Sequence, residues 1–161
     1  MAKEKTPVTA AVRQLRAENT IFSDHIYAYE DKGGTAASSR QLGFDEHSVI
    51  KTLIMEDENH RALIVLMHGD LQVSTKELAR ELGVKQISPC PPETAQKYSG
   101  YMVGGTSPFG TRQKMPVYME ESITELQKIY INGGKRGYLV GLAPDELMRI
   151  LKPRLVNVGI R

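Results

Sequence analysis

Strand and helix signals are mixed along this sequence of 161 residues, which predicts an α+β fold. Two largely apolar segments, residues 49–55 and 62–67, flank a polar turn and predict a β-hairpin. Short helices with recognisable caps stand between the strands, and the clearest is the capping box from Ser74 to Glu77. No repeat or linker divides the chain, so we expect a single domain over residues 1–161.

The first half of the chain is predicted to begin with a helix that has Thr6 as its cap and Pro7 at its first position. Its apolar stripe is formed by Val8, Ala11, Val12 and Leu15, and Asn19 ends it. Residues 21–29 alternate as a strand does. Gly33 and Gly34 then precede a short helix over residues 35–42, which Gly43 stops.

After the hairpin, the capping box opens a helix that ends at Gly83, and a glycine-rich loop covers residues 100–110. The other predicted elements are a strand at 85–88, a helix at 93–98 and strands at 117–119, 128–131 and 138–142. The last helix starts at Pro144, turns Leu147, Ile150 and Leu151 inward, and stops at Pro153. A final strand is predicted over residues 155–158.

Composition excludes several classes of protein. Hydrophobic residues make up 40% of the chain and charged residues 25%, which is typical of a globular protein and not of a disordered one. Cys90 is the single cysteine, so no intramolecular disulfide can form and a reducing cytoplasm is expected. The polar N-terminus has no signal-peptide core, and the apolar run near residues 62–67 is far shorter than the roughly 18 residues of a membrane span. We therefore expect no membrane contact.

The net charge of +2 is unevenly distributed. Residues 1–80 carry 10 basic and 12 acidic side chains, whereas residues 81–161 carry 11 and 7. Such a balance is too weak to prove nucleic-acid binding, but it is compatible with a small basic patch in the second half.

Lys51 is unusual because it lies in a segment that is largely apolar on both faces, as an interior strand is. A lysine there must extend its ammonium beyond the strand, pair with a carboxylate, or line a cavity. The pattern alone leaves two interpretations open: a structural lysine, or a cation that points into a ligand pocket.

The glycine-rich loop over residues 100–110 is the second candidate site. Gly104 and Gly105 allow the backbone to approach a ligand closely and to direct N–H groups at an anion or an oxyanion. Ser107 and Pro108 constrain the turn that follows. Glycine-rich turns are often only turns, so the pattern by itself is weak.

Basic residues follow both glycine segments. Arg112 and Lys114 lie just after the loop, and Lys135 and Arg136 lie within residues 133–137. The latter segment lacks the serine or threonine that a Walker A loop needs at position 136. It is interpreted either as a hairpin loop with a solvated basic tip or as a backbone contact to an RNA end.

Other chemistry is poorly supported by the sequence. Cys90 lies among prolines without a second cysteine, which is more typical of a structural thiol than of a nucleophile. No metal-ligand spacing relates the four histidines, His25, His47, His60 and His68. We expect neither a metal nor a cofactor.

Four segments, taken in order, resemble the YbaK/EbsC family, which is related to the editing domain inserted in bacterial prolyl-tRNA synthetase. The segments are residues 49–53, 74–80, 100–110 and 133–137. The resemblance extends from the first helix to the last strand. It implies a mixed, barrel-like sheet flanked by short helices, with a pocket beside the lysine strand and the Gly-Gly loop.

The resemblance also implies a function, namely trans-editing that removes cysteine from Cys-tRNA(Pro) and Cys-tRNA(Cys). Related branches remove alanine or other small residues. Aminoacyl-tRNA is then the substrate and prolyl-tRNA synthetase an expected partner, with no role for DNA. A non-catalytic adaptor for tRNA or a synthetase, and an enzyme acting on free amino-acid esters, remain as alternatives; the oligomeric state stays open.

Residue by residue, the resemblance assigns Lys51, Gly104 and Gly105 to catalysis. Substrate contacts are expected from Tyr29, Thr52, Ser107, Pro108, Asn132 and Gly133. Contacts to tRNA are expected from Arg112, Lys114, Lys135 and Arg136.

This chain departs from the family pattern in three places. Asn132 replaces a common serine, Leu139 replaces a common acidic residue, and the segment between Tyr29 and Leu42 is shorter. These changes bear on which amino acid is removed.

The expected chemistry needs no nucleophile from the enzyme. Cleavage of the ester builds charge on the carbonyl oxygen, which N–H groups near Gly104 and Gly105 would stabilise while Lys51 orients the substrate. A cysteinyl ester brings its own thiol, with an ordinary pKa of about 8.5, which can attack its own carbonyl. An alanyl ester would need a water molecule instead.

Overall fold

A mixed β-sheet forms the centre of the fold in a computed structural model that describes residues 6–161. The polar residues 1–5, on which the expected lack of a signal peptide partly depends, lie outside the described residues. The strands are β1 (Ser23–Ile26), β2 (Val49–Asp57), β3 (Ala62–His68), β4 (Gln72–Val73), β5 (Ile87–Pro89), β6 (Val117–Glu120), β7 (Ile129–Lys135), β8 (Tyr138–Leu142), β9 (Arg154–Val156) and β10 (Gly159–Ile160). The α-helices are α1 (Ala10–Ala17), α2 (Gly34–Leu42), α3 (Thr75–Leu82), α4 (Pro92–Ser99) and α5 (Pro144–Leu151), and two 3₁₀ helices cover Glu46–Ser48 and Glu121–Glu125.

The large sheet has eight strands, in the order β1-β8-β7-β2-β3-β6-β9, and β5 also pairs with β2. Three contacts are parallel, β2 with β7, β3 with β6 and β6 with β9, and the others are antiparallel. Among residues 6–161 the path ends at β1 and β9, so these strands form an open sheet and not a complete barrel. The predicted α+β class is confirmed.

Elements with local signals lie where the sequence predicts them. The hairpin of β2 and β3 is antiparallel from Ile50 paired with His68 to Glu56 paired with Ala62. The side chain of Ser74 caps α3 by accepting from the Glu77 N–H at 3.3 Å. Helix α2 ends at Gly43 and α5 begins at Pro144, as predicted.

The predicted start of the first helix is wrong. Helix α1 begins three residues after Pro7, with Thr9 in place of Thr6 as its cap. The Thr9 hydroxyl accepts from the Val12 N–H at 3.1 Å and donates to the Gly133 carbonyl at 2.5 Å, a distant contact that the local pattern does not contain.

Two strand predictions also need correction. Strand β1 covers Ser23–Ile26 and is shorter than the predicted 21–29. The predicted last strand divides into β9 and β10, because the carboxylate of Glu120 accepts from the N–H groups of Val158 and Gly159, both at 2.7 Å.

The basic hairpin also differs from its prediction, since β7 continues to Lys135 through a bulge and the turn is Arg136-Gly137.

Hydrophobic side chains pack on both faces of the sheet. The larger cluster includes Leu15, Ile50, Phe109 and Ile131, and the smaller one packs α3 against the other face. Since Ile50 pairs with Ile131 on the larger cluster, strand alternation places the next residues, Lys51 and Asn132, together on the opposite face. Within residues 6–161 no helix has the length and apolar character needed to cross a membrane.

Candidate active site

Lys51 lies in the centre of the sheet, on β2 between β3 and β7. Its side chain is half-buried, and its ammonium donates to the carbonyl of Leu71. Burial lowers the pKa of Lys51 below its usual value, while the nearby carboxylates of Glu46 and Asp70 raise it. Lys51 is therefore a positioned cation in a partly desolvated place. The carbonyl and carboxylates around it also agree with a structural lysine, so its role in a ligand pocket stays a prediction.

The exposed tip of the glycine-rich loop is a β-turn, residues 102–105, which we call the Gly104 turn. It is closed by a hydrogen bond from the Gly105 N–H to the Met102 carbonyl at 2.8 Å. Gly104 occupies its third position with φ of +89°, a conformation that favours glycine there. Because the Gly105 N–H is engaged inside the turn, the N–H of Gly104 is the one that remains as a candidate donor to a ligand.

The side chains of Tyr29 and Arg136 pack against the Gly104 turn. A Cβ atom on Gly104 would lie 2.8 Å from the Tyr29 hydroxyl, so the turn and the ring are in close contact. The Arg136 guanidinium lies 4.8 Å from the centre of the Tyr29 ring, and its Nε donates to the Val103 carbonyl at 2.8 Å. A Cβ atom on Gly105 would lie 2.8 Å from the Arg136 backbone nitrogen, which explains why residue 105 is also a glycine.

Asn132 joins the Gly104 turn to the basic hairpin. Its Nδ2 donates to the Gly104 carbonyl at 3.1 Å, and its Oδ1 accepts from the N–H groups of Gly134 and Lys135 at 2.7 and 3.1 Å. Lys51 occupies the same sheet face on the neighbouring strand. The sheet thus brings Lys51 and the Gly104 turn to one side of the molecule, although 53 residues separate Lys51 from Gly104.

The rest of the glycine-rich loop is anchored in the core. Tyr101 is buried and its hydroxyl donates to the Phe109 carbonyl at 2.5 Å, and burial raises the pKa of Tyr101 to about 12. Ser107 is fully buried and its hydroxyl accepts from the Phe109 N–H at 3.1 Å, beside the buried Pro108. The Ser107 hydroxyl therefore supports the loop and does not face solvent.

Two further residues with expected substrate contacts lie inside the fold. Gly133 is buried and its carbonyl accepts from Thr9. The Thr52 hydroxyl is buried and has no hydrogen-bond partner among residues 6–161, and alternation along β2 places it on the face opposite Lys51. Neither is seen in contact with the Gly104 turn, so their role in binding substrate stays a prediction.

The four expected tRNA contacts fall into two groups. Lys135 and Arg136 are exposed at the hairpin beside the Gly104 turn. Arg112 and Lys114 are also exposed, but Arg112 packs over Gly100 and Lys114 lines a groove near the end of α5. The structure therefore brings only the first pair to the turn.

Two histidines and Asp70, which lies near Lys51, form a cluster that the spacing of these residues in the sequence does not indicate. His47 and His68 stack with ring centres 3.7 Å apart, and ligand atoms of His47, His68 and Asp70 lie within 4.8 Å of one another. Both ring nitrogens of buried His68 are engaged, with the His47 carbonyl and the Ser122 hydroxyl, each at 2.7 Å. A cation here would have to displace one of these bonds, so the cluster is better explained as support for the turn that holds Leu71.

Cys90 is poorly suited to act as a nucleophile. It is buried, and burial together with the nearby carboxylate of Glu56 raises its pKa to about 11. At neutral pH the thiol is therefore protonated and inaccessible.

The sequence profile of the aminoacyl-tRNA editing domain matches residues 30–150 of the chain. The chain belongs to the aminoacyl-tRNA editing domain family. That match covers β2, the Gly104 turn and the basic hairpin, and it confirms the resemblance noted from the four sequence segments.

Relatives of this editing domain include free-standing proteins and parts of synthetases. It is 25% identical over 160 residues to EbsC of Enterococcus faecalis, whose provisional name is Cys-tRNA(Pro)/Cys-tRNA(Cys) deacylase, with 98% of each chain covered. It is 29% identical over 86 residues to proline–tRNA ligase of Brachyspira hyodysenteriae, covering 53% of this chain and 15% of the ligase.

A solved structure described provisionally as a trans-editing enzyme for prolyl-tRNA synthetase has the same fold. The TM-score is 0.82 at 18% identity, and the alignment covers 97% of this editing domain and all of that chain. Family and relatives together support aminoacyl-tRNA editing by deacylation.

Proposed function

We propose that this editing domain removes cysteine from Cys-tRNA(Pro), and also from Cys-tRNA(Cys), with the substrate's own thiol as the nucleophile. The observation that carries the proposal is the make-up of the Gly104 turn. The side chains of Tyr29, Asn132 and Arg136 contact it, and none of these is an activated acyl nucleophile. The name of the Enterococcus relative agrees with this substrate.

The proposed reaction is an intramolecular substitution. The cysteinyl sulfur, as thiolate, forms a bond to its own carbonyl carbon, and the bond from that carbon to the ribose oxygen breaks. The proton released by the thiol is returned to the ribose oxygen, which leaves tRNA with a free hydroxyl. The amino acid departs as a cyclic thioester. Holding thiol and carbonyl together can contribute on the order of 7 kcal/mol or more to lowering the barrier.

In this proposal, the N–H of Gly104 stabilises the carbonyl oxygen as it becomes negative, a contribution of roughly 3 kcal/mol for a well-placed donor. Lys51 supplies a positive charge from the neighbouring strand and orients the ribose or phosphate of the substrate end. Tyr29 and Asn132 act as positioning residues, because each holds the Gly104 turn in place.

The tRNA is bound mainly through its phosphates. Lys135 and Arg136 are adjacent to the Gly104 turn and would contact the nucleotides next to the esterified end. With a net charge of only +2, unaided selection among tRNAs is expected to be weak, and prolyl-tRNA synthetase is the proposed partner.

Replacement of Lys51 tests the proposal. We expect Lys51→Ala to slow single-turnover deacylation of Cys-tRNA(Pro) by roughly 100-fold or more, the usual effect of removing one electrostatic stabiliser of the transition state. Lys76 is an exposed lysine on α3, and the matched control Lys76→Ala is expected to keep the parental rate. Circular dichroism and thermal unfolding verify that both variants fold. Deacylation by Lys51→Ala at the parental rate would remove Lys51 from the mechanism.

A further inference from the structure

A groove runs between the end of α5 and the strands β6 and β9, away from the Gly104 turn. It has a volume of about 670 Å³. Its lining includes three cations, Lys114, Lys152 and Arg154, and no acidic residue. Its lining also includes half-exposed side chains, among them Tyr118 and Ile150.

A second, smaller groove of about 360 Å³ lies at the end of α4. Lys97 and Arg112 line it, together with one acidic residue, Glu93. Its floor includes Gly100, the first residue of the loop that carries the Gly104 turn, and a Cβ there would lie 3.4 Å from the Cβ of Arg112.

Three consecutive residues connect the two grooves, because Arg112 lines one and Lys114 lines the other. We define the basic track as the exposed cations Lys97, Arg112, Lys114, Lys152 and Arg154. Within residues 6–161 none of the five is in a salt bridge, and Arg154 donates only to the carbonyl of Glu81. Their charge is therefore available to a ligand outside the chain.

We propose that the basic track binds the sugar–phosphate backbone of the tRNA substrate beyond its esterified end. This inference rests on the proposed function and adds a second contact surface to it. Five cations without a salt bridge, in two grooves that residues 112–114 link along the chain, complement the phosphates of an RNA strand, and the half-exposed apolar side chains in the lining suit ribose. An acidic protein surface is the competing partner, but the track continues from the loop that holds the reactive end of the RNA.

The geometry of the sheet gives the reach of this surface. Strand β6 lies two strands from β2, which is about 10 Å across the sheet. Since phosphates of one strand advance about 3.4 Å along a helical axis, RNA bound at its esterified end must extend by at least roughly three nucleotides before it can reach the track.

Lys152 makes a clean test possible. It caps α5 in the left-handed conformation, with φ of +47°, where glycine is the usual residue. Lys152→Gly therefore removes a cation while relieving backbone strain, so weaker RNA binding cannot be attributed to a destabilised fold.

The experiment measures equilibrium binding of uncharged tRNA(Pro) between about 50 and 200 mM salt. We expect the double variant Lys97→Gln/Lys152→Gly to lower the slope of log K against log salt by about 2, one for each phosphate that the protein no longer neutralises. The charge-matched control Lys76→Gln/Lys85→Gln replaces two exposed lysines elsewhere and should leave the slope unchanged.

Two results would overturn the proposal. If the salt dependence of binding is unchanged in Lys97→Gln/Lys152→Gly, the track binds an acidic protein or no ligand. If the control variant shows an equal decrease in slope, the loss of RNA binding depends on net charge alone and not on the track. Binding of uncharged tRNA does not depend on cleavage. The proposed function is therefore tested separately, by measuring whether the wild-type protein cleaves Cys-tRNA(Pro). A cysteinyl ester of a trinucleotide, too short to reach the track, should be cleaved equally by both double variants.

Discussion

At Lys51, burial and two carboxylates act on the ammonium in opposite directions. Burial lowers the pKa, whereas Glu46 and Asp70 raise it and the Leu71 carbonyl accepts a hydrogen bond. A lysine held in this way presents its charge from a defined place. Its unusual position was predictable from alternation in the sequence, but the carbonyl that holds it lies on a turn 20 residues away.

Gly104→Ala is predicted to destabilise the fold and to slow deacylation. The new Cβ would lie 2.8 Å from the Tyr29 hydroxyl, and the residue would also hold φ of +89°. Gly83→Ala is the matched control, because Gly83 has φ of +70° but no atom within 4 Å of its Cβ position. That control should incur only the cost of the left-handed conformation, roughly 1–2 kcal/mol, and keep its activity.

A double-mutant cycle with Tyr29→Ala isolates the contact. Removing the ring should make Gly104→Ala less destabilising in urea unfolding than it is in the parent. If Gly104→Ala and Gly83→Ala lose equal stability and retain equal activity, the close packing of the turn on Tyr29 has no energetic role.

His68 is predicted to make stability fall at acid pH. Burial lowers its pKa below the ordinary value of 6.5; His47 lowers it further, and the His47 carbonyl, Asp70 and Glu120 raise it. Below about pH 6.5 the unfolded chain binds a proton that the folded chain does not, so the free energy of unfolding decreases as pH falls. Each unit of lowered pKa corresponds to about 1.4 kcal/mol.

Urea unfolding at about pH 7.5 and 5.5 measures this effect, with His68→Gln expected to lose less stability between them than the parent. His25, whose pKa is also lowered, contributes equally to both proteins. Parallel losses in parent and variant would contradict the assignment to His68.

Among the secondary-structure elements, α3 depends on a local cap. Ser74→Ala removes the acceptor of the Glu77 N–H and is predicted to lower stability by about 1 kcal/mol. For a chain of this size that shifts the melting temperature by roughly 2–4 °C. Ser74→Thr retains a hydroxyl and should recover most of the stability. Equal melting temperatures for Ser74→Ala and the parent would show that the cap contributes nothing.

Sequence predicts such elements well because their signals are short in range. The cap of α3 and the ends of α2 and α5 lie within a few residues of the helices they define. Strand β1 and the start of α1 depend instead on partners across the chain, namely Gly141 for Ser23 and Gly133 for Thr9. The same reason hides the bridge from Asn132 to Gly104, which spans 28 residues of sequence.

For the molecule as a whole, the sheet is what brings the residues of the candidate site to one side. Lys51 and Asn132 share one face of the sheet only because β2 and β7 are parallel neighbours, and sequence patterns predict strands more readily than their order. The resemblance to the family implies a mixed sheet with a pocket beside the lysine strand and the Gly-Gly loop, but it does not give the order of the strands. At Asn132, where the resemblance leads us to expect a serine, the amide both donates to the Gly104 turn and accepts from the bulge. Nothing in the structure explains why Leu139 replaces an acidic residue.

The most direct test of the account is single-turnover deacylation of end-labelled Cys-tRNA(Pro) and Ala-tRNA(Pro), side by side with controls lacking the protein. If the substrate thiol attacks its own ester carbonyl, cysteine is lost rapidly, whereas alanine is lost only at the control rate. Equally rapid loss of alanine would contradict that mechanism and require a water nucleophile. Loss of neither amino acid above the control rate would contradict the proposed cysteine specificity itself.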